Sequence, residues 1–231
     1  MYTLEWPIFF LVQSFWRCSS RWILSPVLFA VYMDPLILKL RKLTVGCKID
    51  DHFYGCLLYA DDIMLLMHSV NAMRRMLSVC EEFAADLDIK FNTSKSVAMR
   101  VGKRFNVHCA PLILAGIALK FVSRPTVRYL GVYLMAGTKW KLSVDHLKLK
   151  FYKVSNCIYS RCKSQNSELV TVELLKSYCL PFLLYASEAV SLSIGNIHSL
   201  DNCLNRAVHR IFDVNASDCI ADIRRFVGLV I

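Results

Sequence analysis

One short stretch constrains this chain more than any other. Residues Gly55 to Met67 read G-C-L-L-Y-A-D-D-I-M-L-L-M. Two apolar runs flank a polar pair. Runs of that length, bounded by turn-forming residues, suit short buried strands, and two of them around one pair predict a buried β-hairpin with Asp61 and Asp62 at its turn. A hairpin that is apolar on both arms needs further strands and helices to cover it, so the rest of the chain must supply a mixed α+β core.

The neighbouring segments have that texture. Ser25-Pro26 reads as a helix start, with serine as N-cap and proline at the first helical position. The apolar run Val27 to Met33 predicts a buried helix, which Asp34-Pro35 should break or restart because proline removes a backbone donor. Val70, Met73, Leu77, Cys80, Ala84 and Leu87 recur at steps of three and four and define one face of a helix capped by Ser69. Val97, Met99 and Val101 alternate as in a half-buried strand. Leu112 to Val122 reads as a hairpin turning at Ala115-Gly116, and Val127 to Leu134 as a further strand interrupted by Gly131. Beyond Gly137 the pattern becomes helical. Val144, Leu147, Phe151, Val154 and Ile158 share a face, a second helix covers about Leu169 to Ala189 with a kink at Pro181, and a third starts near Leu200.

The chain has 231 residues, of which 55% are hydrophobic and 20% charged, enough apolar material for a large core. The mean hydropathy of +0.40 is high enough to expect some apolar surface that other sequence covers. A net charge of +10 suits a polyanion such as nucleic acid, although a basic surface that binds nothing fits charge alone equally well. The 10 cysteines are scattered, with no C-x-x-C pair, which excludes a zinc ribbon or dithiol redox motif and leaves buried free thiols as the expectation. The apolar run Ile8 to Val12 is too short for a transmembrane helix and lacks the basic flank of a signal peptide. No membrane association, protein partner or targeting signal is legible, so an intracellular location, nuclear or cytoplasmic, is the default.

Tyr59-Ala60-Asp61-Asp62 is the constellation that carries chemistry. In an isolated turn, Asp-Asp is ordinary polar turn composition. Between two apolar strands it becomes a rigid mount for adjacent carboxylates, which is what phosphoryl transfer through two divalent metals requires. Magnesium favours such hard oxygen ligands and keeps positions for water and phosphates.

This tetrad resembles the signature of reverse transcriptases. Leu24-Ser25-Pro26-Val27-Leu28-Phe29 resembles the L-S-P-x-L-F segment that precedes it in the branch of non-LTR (LINE-type) retrotransposons and group II introns. Residues 86–99 resemble the following block, with Asn92 and Lys95 at its recurrent positions, and Tyr129-Leu130-Gly131 resembles the primer-grip hairpin. All four occur in family order between about residues 23 and 225.

The resemblance implies a division into an atypical segment 1–22, a partial right-hand polymerase palm of antiparallel hairpins with packed helices over 23–137, and an all-α thumb-like region over 138–231. It implies Asp61 and Asp62 as ligands of Mg2+ or Mn2+, and Lys95 as acid or charge stabiliser for the leaving pyrophosphate; an ordinary exposed lysine is the competing reading. Tyr59, Ala60, Ser25, Pro26 and Tyr129 to Gly131 would position primer and nucleotide. Lys139, Lys141, Lys148, Lys150 and Lys153 would contact phosphates of an RNA template and DNA primer, or form one solvated helix face. Arg206 and Arg210 invite the same two readings.

Departures from the family pattern are as informative. The family needs another aspartate on an earlier strand, and Glu5 is the one acidic residue before Asp34. The fingers region has no counterpart. Pro35 stands where relatives commonly carry an acidic residue. In place of the Arg-Gln-Gly that usually precedes L-S-P, the chain has Cys18-Ser19-Ser20-Arg21-Trp22. One back-translation of Phe15 to Trp22, read one base later, encodes Ser-Gly-Val-Val-Arg-Gln-Gly-Gly, which suggests a frame-shifted reading of the lost motif. The chain alone is therefore expected to be inactive as an RNA-directed DNA polymerase, with a non-catalytic nucleic-acid-binding remnant or a functionless relic of a transposable element as the alternatives.

Overall fold

A computed structural model describes residues 8–15, 25–50, 52–122, 127–139, 141–162, 167–189 and 192–229, without the side chains of residues 8–15, 25, 26 and 28. Of the frame-shift reading of Phe15 to Trp22, residues 16–22 lie outside the described residues, as does Leu24 of the L-S-P segment. The chain divides into two compact units, Met1–Lys141 and Leu142–Ile231.

The first unit is built on one six-stranded sheet. Its centre is β1 (Ile8–Phe15), from the segment that reads as atypical in sequence. β1 pairs antiparallel on one side with β5 (Asp62–Met67), from Ile8 opposite Met67 to Gln13 opposite Asp62. On its other side it pairs with β7 (Val97–Arg100), and its last two residues pair with β6 (Lys90–Phe91). β4 (Cys56–Tyr59) lies outside β5 at one edge, and β10 (Lys120–Val122) runs parallel to β7 at the other. The physical reason for the place of β1 is its composition: an unbroken apolar run such as I-F-F-L-V belongs in a strand bonded on both sides.

Two helices complete the core of this unit. In α2 (Val70–Asp86), Ser69 accepts a hydrogen bond from the Ala72 N–H at 3.2 Å, as expected of an N-cap, and Met73, Met76, Leu77 and Cys80 are fully buried. They meet Ile63, Leu65 and Met67, alternate residues of one face of β5. In α1 (Ser25–Lys42), Pro26 falls in the first turn, and Phe29, Met33, Leu36 and Leu40 form the stripe that joins this cluster.

Two expectations for α1 fail. The helix runs unbroken through Pro35. An internal proline costs about 3 kcal/mol, and burial of Met33, Leu36 and Leu40, each worth roughly 1.5–3 kcal/mol, offsets it. Nor is Val27 to Met33 buried all round: Val27 and Val31 are 61% and 64% exposed, because α1 turns one stripe alone towards the core.

Short paired strands follow. β2 (Lys48–Ile49) pairs with β3 (His52–Phe53), and β8 (Ile113–Leu114) with β9 (Ile117–Ala118) across the expected Ala115-Gly116 turn. α2 holds that turn in place: Glu81 accepts from the Ala115 N–H, and Arg74 donates to the Pro111 carbonyl at 3.0 Å. Residues 120–122 leave the hairpin and join the main sheet. The strand that alternation suggests over 127–134 is two strands, β11 (Val127–Tyr129) and β12 (Val132–Met135), paired antiparallel as a hairpin, the shape that the resemblance at Tyr129 to Gly131 implies. Leu130 and Gly131 turn between them at φ +46° and +80°, the mirror-image turn that matches the twist of a two-residue hairpin. β13 (Lys141–Ser143) then leads into the helices.

The second unit is helical. α3 (Asp145–Cys162) buries Leu147 and Phe151 on the expected face, with Val144 just before it. The helix expected over 169–189 is three pieces: α4 (Glu168–Leu174), a wider π-type turn (Leu175–Cys179) and α5 (Leu180–Leu183). Pro181 offers no N–H to the carbonyl four residues back, and the widened turn stands just where that bond would fall. α6 (Ile194–Phe212) begins before Leu200, because Ser193 caps it by accepting from the Asn196 N–H at 3.2 Å. α7 (Ser217–Phe226) was not legible from periodicity. It is tied to α6 by Arg224, which donates to Asp201 at 2.6 Å, Asn205 at 2.7 Å and the Leu229 carbonyl at 2.9 Å.

The nine described cysteines are free thiols; Cys80, Cys179 and Cys203 are buried, whereas Cys157 and Cys219 are exposed. Among the described residues, no helix is long and apolar enough to cross a membrane.

Candidate active site

Tyr59 pairs with Asp62 to close the β4–β5 hairpin, so Ala60 and Asp61 make a two-residue turn. Ala60 takes φ +49°, a left-handed conformation that costs an ordinary residue about 1 kcal/mol. Asp61 stands exposed at the tip, and Asp62, half-buried, is the first residue of β5. The two arms differ more than the sequence suggests. β5 is buried, whereas β4 is a sheet edge whose Tyr59 is 62% exposed. At the base of the hairpin, a Cβ on Gly55 would lie 2.6 Å from the ring of Phe53, so glycine there lets the ring lie flat on the backbone. Burial pushes the neighbouring Cys56 thiol up to about 12, which keeps it protonated near neutral pH.

Three further segments reach the same end of the sheet. β11 brings Tyr129 within electrostatic range of Asp62. Burial first, and then the negative charge of Asp62, raises the Tyr129 phenol above its ordinary value. The register of β6 beside Ser14 and Phe15 sets the turn after it at the Asp62 end. In that turn Asn92 Oδ1 accepts from Ser94 Oγ at 2.6 Å and from the Lys95 N–H at 3.2 Å, leaving the Lys95 side chain exposed. The third segment is β1 itself, which sets Gln13 opposite Asp62. Sequence reading missed Gln13; the apolar run preceding it was the signal that could have found the strand. Ser25 and Pro26 open α1, and their side chains are outside the described set.

The five lysines fall in both units. Lys139 and Lys141 are exposed in the first unit. In the second, Lys148 is half-buried, ion-paired with Asp145 at 2.8 Å and bonded to Ser199 Oγ at 3.1 Å. Lys150 sits 6.0 Å from the centre of the Phe182 ring, and Lys153 is exposed. Arg210 stacks over Tyr159 at 4.2 Å and donates to Asn156. The basic excess is concentrated in the first unit, which carries 18 Lys and Arg against 10 Asp and Glu, net +8; the second has 10 against 8, net +2.

A pair of adjacent carboxylates on a hairpin, inside a sheet with packed helices, offers the oxygen donors that phosphate chemistry through divalent cations uses. Sequence comparison sharpens this. The profile of the reverse transcriptase (RNA-dependent DNA polymerase) family matches residues 18–134, half of the chain, and the chain belongs to that family. The chain is 25% identical over 194 residues to the "Retrovirus-related Pol polyprotein from type-1 retrotransposable element R2" of Popillia japonica. That alignment covers 81% of this chain and 26% of the relative, so the chain spans about a quarter of the length of that curated protein.

Reverse transcriptases generally use divalent metal ions, and the donors here fit that chemistry in part. Asp61 and Asp62 are hard oxygen ligands suited to Mg2+. The strand paired with β5 sets Gln13 opposite Asp62, and no residue of Ile8–Phe15 is acidic. Among the described residues, no group of three or more His, Cys, Asp or Glu side chains is placed to hold a metal. Two carboxylates can share one ion; they do not fit a tightly held pair.

Proposed function

We propose that this chain is the later part of a reverse transcriptase palm, followed by a thumb-like helical unit, which holds an RNA template and DNA primer but does not by itself sustain nucleotidyl transfer. The observation that carries this reading is Gln13 in register with Asp62. A neutral amide is a weaker ligand than a carboxylate for a hard dication and leaves its charge less compensated. Tyr129 lies within electrostatic range of Asp62, where a primer end would have to lie, and Lys95 follows β6 at the same end of the sheet. The exposed Lys139, Lys141, Lys150 and Lys153 suit phosphate contacts that track a backbone without reading sequence.

Primer extension on an RNA template in Mg2+ or Mn2+ tests the reading. The protein is expected to extend no more than its Asp61→Asn variant, and extension that this substitution abolishes would overturn the proposal. A second measurement does not depend on turnover. Gln13→Asp should tighten Mn2+ binding, read by electron paramagnetic resonance, and Asp61→Asn should weaken it. Equal affinity in all three proteins would show that this end of the sheet is no metal site.

A functionless relic is the competing reading, favoured by the exposed Val27, Val31 and Leu38 of α1. It predicts aggregation on size-exclusion chromatography; a monodisperse, cooperatively unfolding species counts against it.

A further inference from the structure

The end of the sheet away from Asp61 and Asp62 carries a second feature. Asp62 is opposite Gln13, whereas Arg100 and Met67 are both opposite Ile8. Five residues of strand, about 17 Å at the usual rise, separate the two ends. At the far end, the loop after β7 folds back over β10. It is fixed by backbone bonds from Gly102 to the Gly137 carbonyl at 2.8 Å and from Phe105 to the Gly102 carbonyl at 3.0 Å. Between loop and strand lies a cavity of about 180 Å³. Phe105, Val107 and Phe121 form an apolar wall, and Arg100, Asn106 and His108 supply polar groups.

The chemistry of the lining narrows the occupant. Residues 100–108 contain Arg100, Lys103, Arg104 and His108 and no acidic side chain. Arg100 and His108 line the cavity, and no acidic side chain does. An anion is therefore favoured. The apolar wall asks for a flat or apolar group attached to it, and the Asn106 amide can both donate to and accept from a heteroaromatic edge. The volume is below the roughly 300–1,000 Å³ of sites for larger ligands. It admits one base or one phosphate group, not a nucleoside triphosphate. The cavity also lies in the unit that holds net +8 of the charge.

We propose that this cavity is a holdfast for single-stranded nucleic acid, taking one unstacked base against Phe105 and Phe121 with the adjoining phosphate on Arg100 and His108. The proposal rests on the reading of the chain as a nucleic-acid-binding protein and adds a contact remote from the carboxylate hairpin. Base stacking on an aromatic side chain with a cationic track beside it is the general solution for holding a strand without reading its sequence.

The test is fluorescence anisotropy of the full chain with a labelled oligouridylate, alongside an RNA–DNA duplex. Phe105→Ala and Arg100→Gln should each weaken single-strand binding about tenfold. Arg100→Gln should also reduce the salt slope by about 0.7, one phosphate contact. Lys42→Gln, an equal loss of charge on α1, should change neither. Photo-crosslinking of a 4-thiouridine oligonucleotide to the unsubstituted protein guards against misfolded variants. The expected adduct is on the tryptic peptide Phe105–Lys120. Adducts confined to other peptides, or single-strand affinity that both substitutions leave intact, would refute the holdfast while leaving nucleic-acid binding standing. Failure to bind either single strand or duplex would refute both readings.

Discussion

The two units reach stability by different routes. The first depends on pairing between residues far apart in the chain, with β1 at the centre hydrogen-bonded on both sides and the β4–β5 hairpin hung from it. The second is a set of helices whose bonds are local, closed by the Arg224 clasp on Asp201 and Asn205. The carboxylate hairpin lies in the unit with the more exacting assembly. Chemistry that needs fixed geometry gains from a sheet, where the position of Asp62 follows from six paired residues of β1, than from a helix end that can fray.

The comparison can be broken most directly at β1. Phe10→Pro removes a ladder bond from a central strand and should cost 3 kcal/mol or more, on the order of an internal helix proline. Hydrogen exchange should then show lost protection in β5 and β7 with α3 and α6 retained; uniform loss would mean that the units fold as one. Phe151→Ala, at a fully buried position in the helical unit, should cost about 3–5 kcal/mol in denaturant unfolding, with the opposite pattern of protection.

Arg224→Ala strands Asp201 and should cost about 3 kcal/mol, with Arg224→Leu losing less because it keeps the packing. Equal losses in the two variants would assign the clasp to volume and not to charge. Leu130→Gly relieves the left-handed turn residue and should stabilise the β11–β12 hairpin by about 0.5–1 kcal/mol. A loss instead would show that the Leu130 side chain contributes more than its backbone strain costs. The smallest effect is at Asp145, where hydrogen bonding by Lys148 holds the carboxyl below its ordinary range. A depressed carboxyl contributes above the ordinary carboxylate titration and loses that contribution as pH falls through its own lowered value. Lys148→Met should remove under about 0.5 kcal/mol of acid-side pH dependence, since Asp145 is largely exposed.

Much of this architecture was legible from residue order alone. The α2 stripe, the Ser69 cap, the Ala115-Gly116 turn and the α3 face all follow from local periodicity and capping, which depend on residues within a turn or two of one another. Pro35 misled because its penalty is local while its compensation, the buried stripe of α1, is tertiary. Val127 to Leu134 looked like one strand because a two-residue turn leaves the alternation of side chains in register across it.

The sequence by itself determined the hairpin, its adjacent carboxylates and the family to which the chain belongs. These are contiguous patterns, each complete within a few residues. Of the two carboxylates, the structure puts Asp61 alone in the turn and Asp62 at the start of β5. Only the tertiary structure decided what stands beside Asp62. That neighbour, Gln13, comes from a strand nearly fifty residues away in the chain, and its place is set by strand register, which side-chain periodicity within β1 cannot specify. The convergence of Tyr129 on the hairpin and the closing of Arg100, Phe105 and Phe121 around one cavity are of the same kind. Each joins segments whose spacing along the chain carries no trace of their contact, because the free energy that unites them is the burial of a shared core and not a local preference.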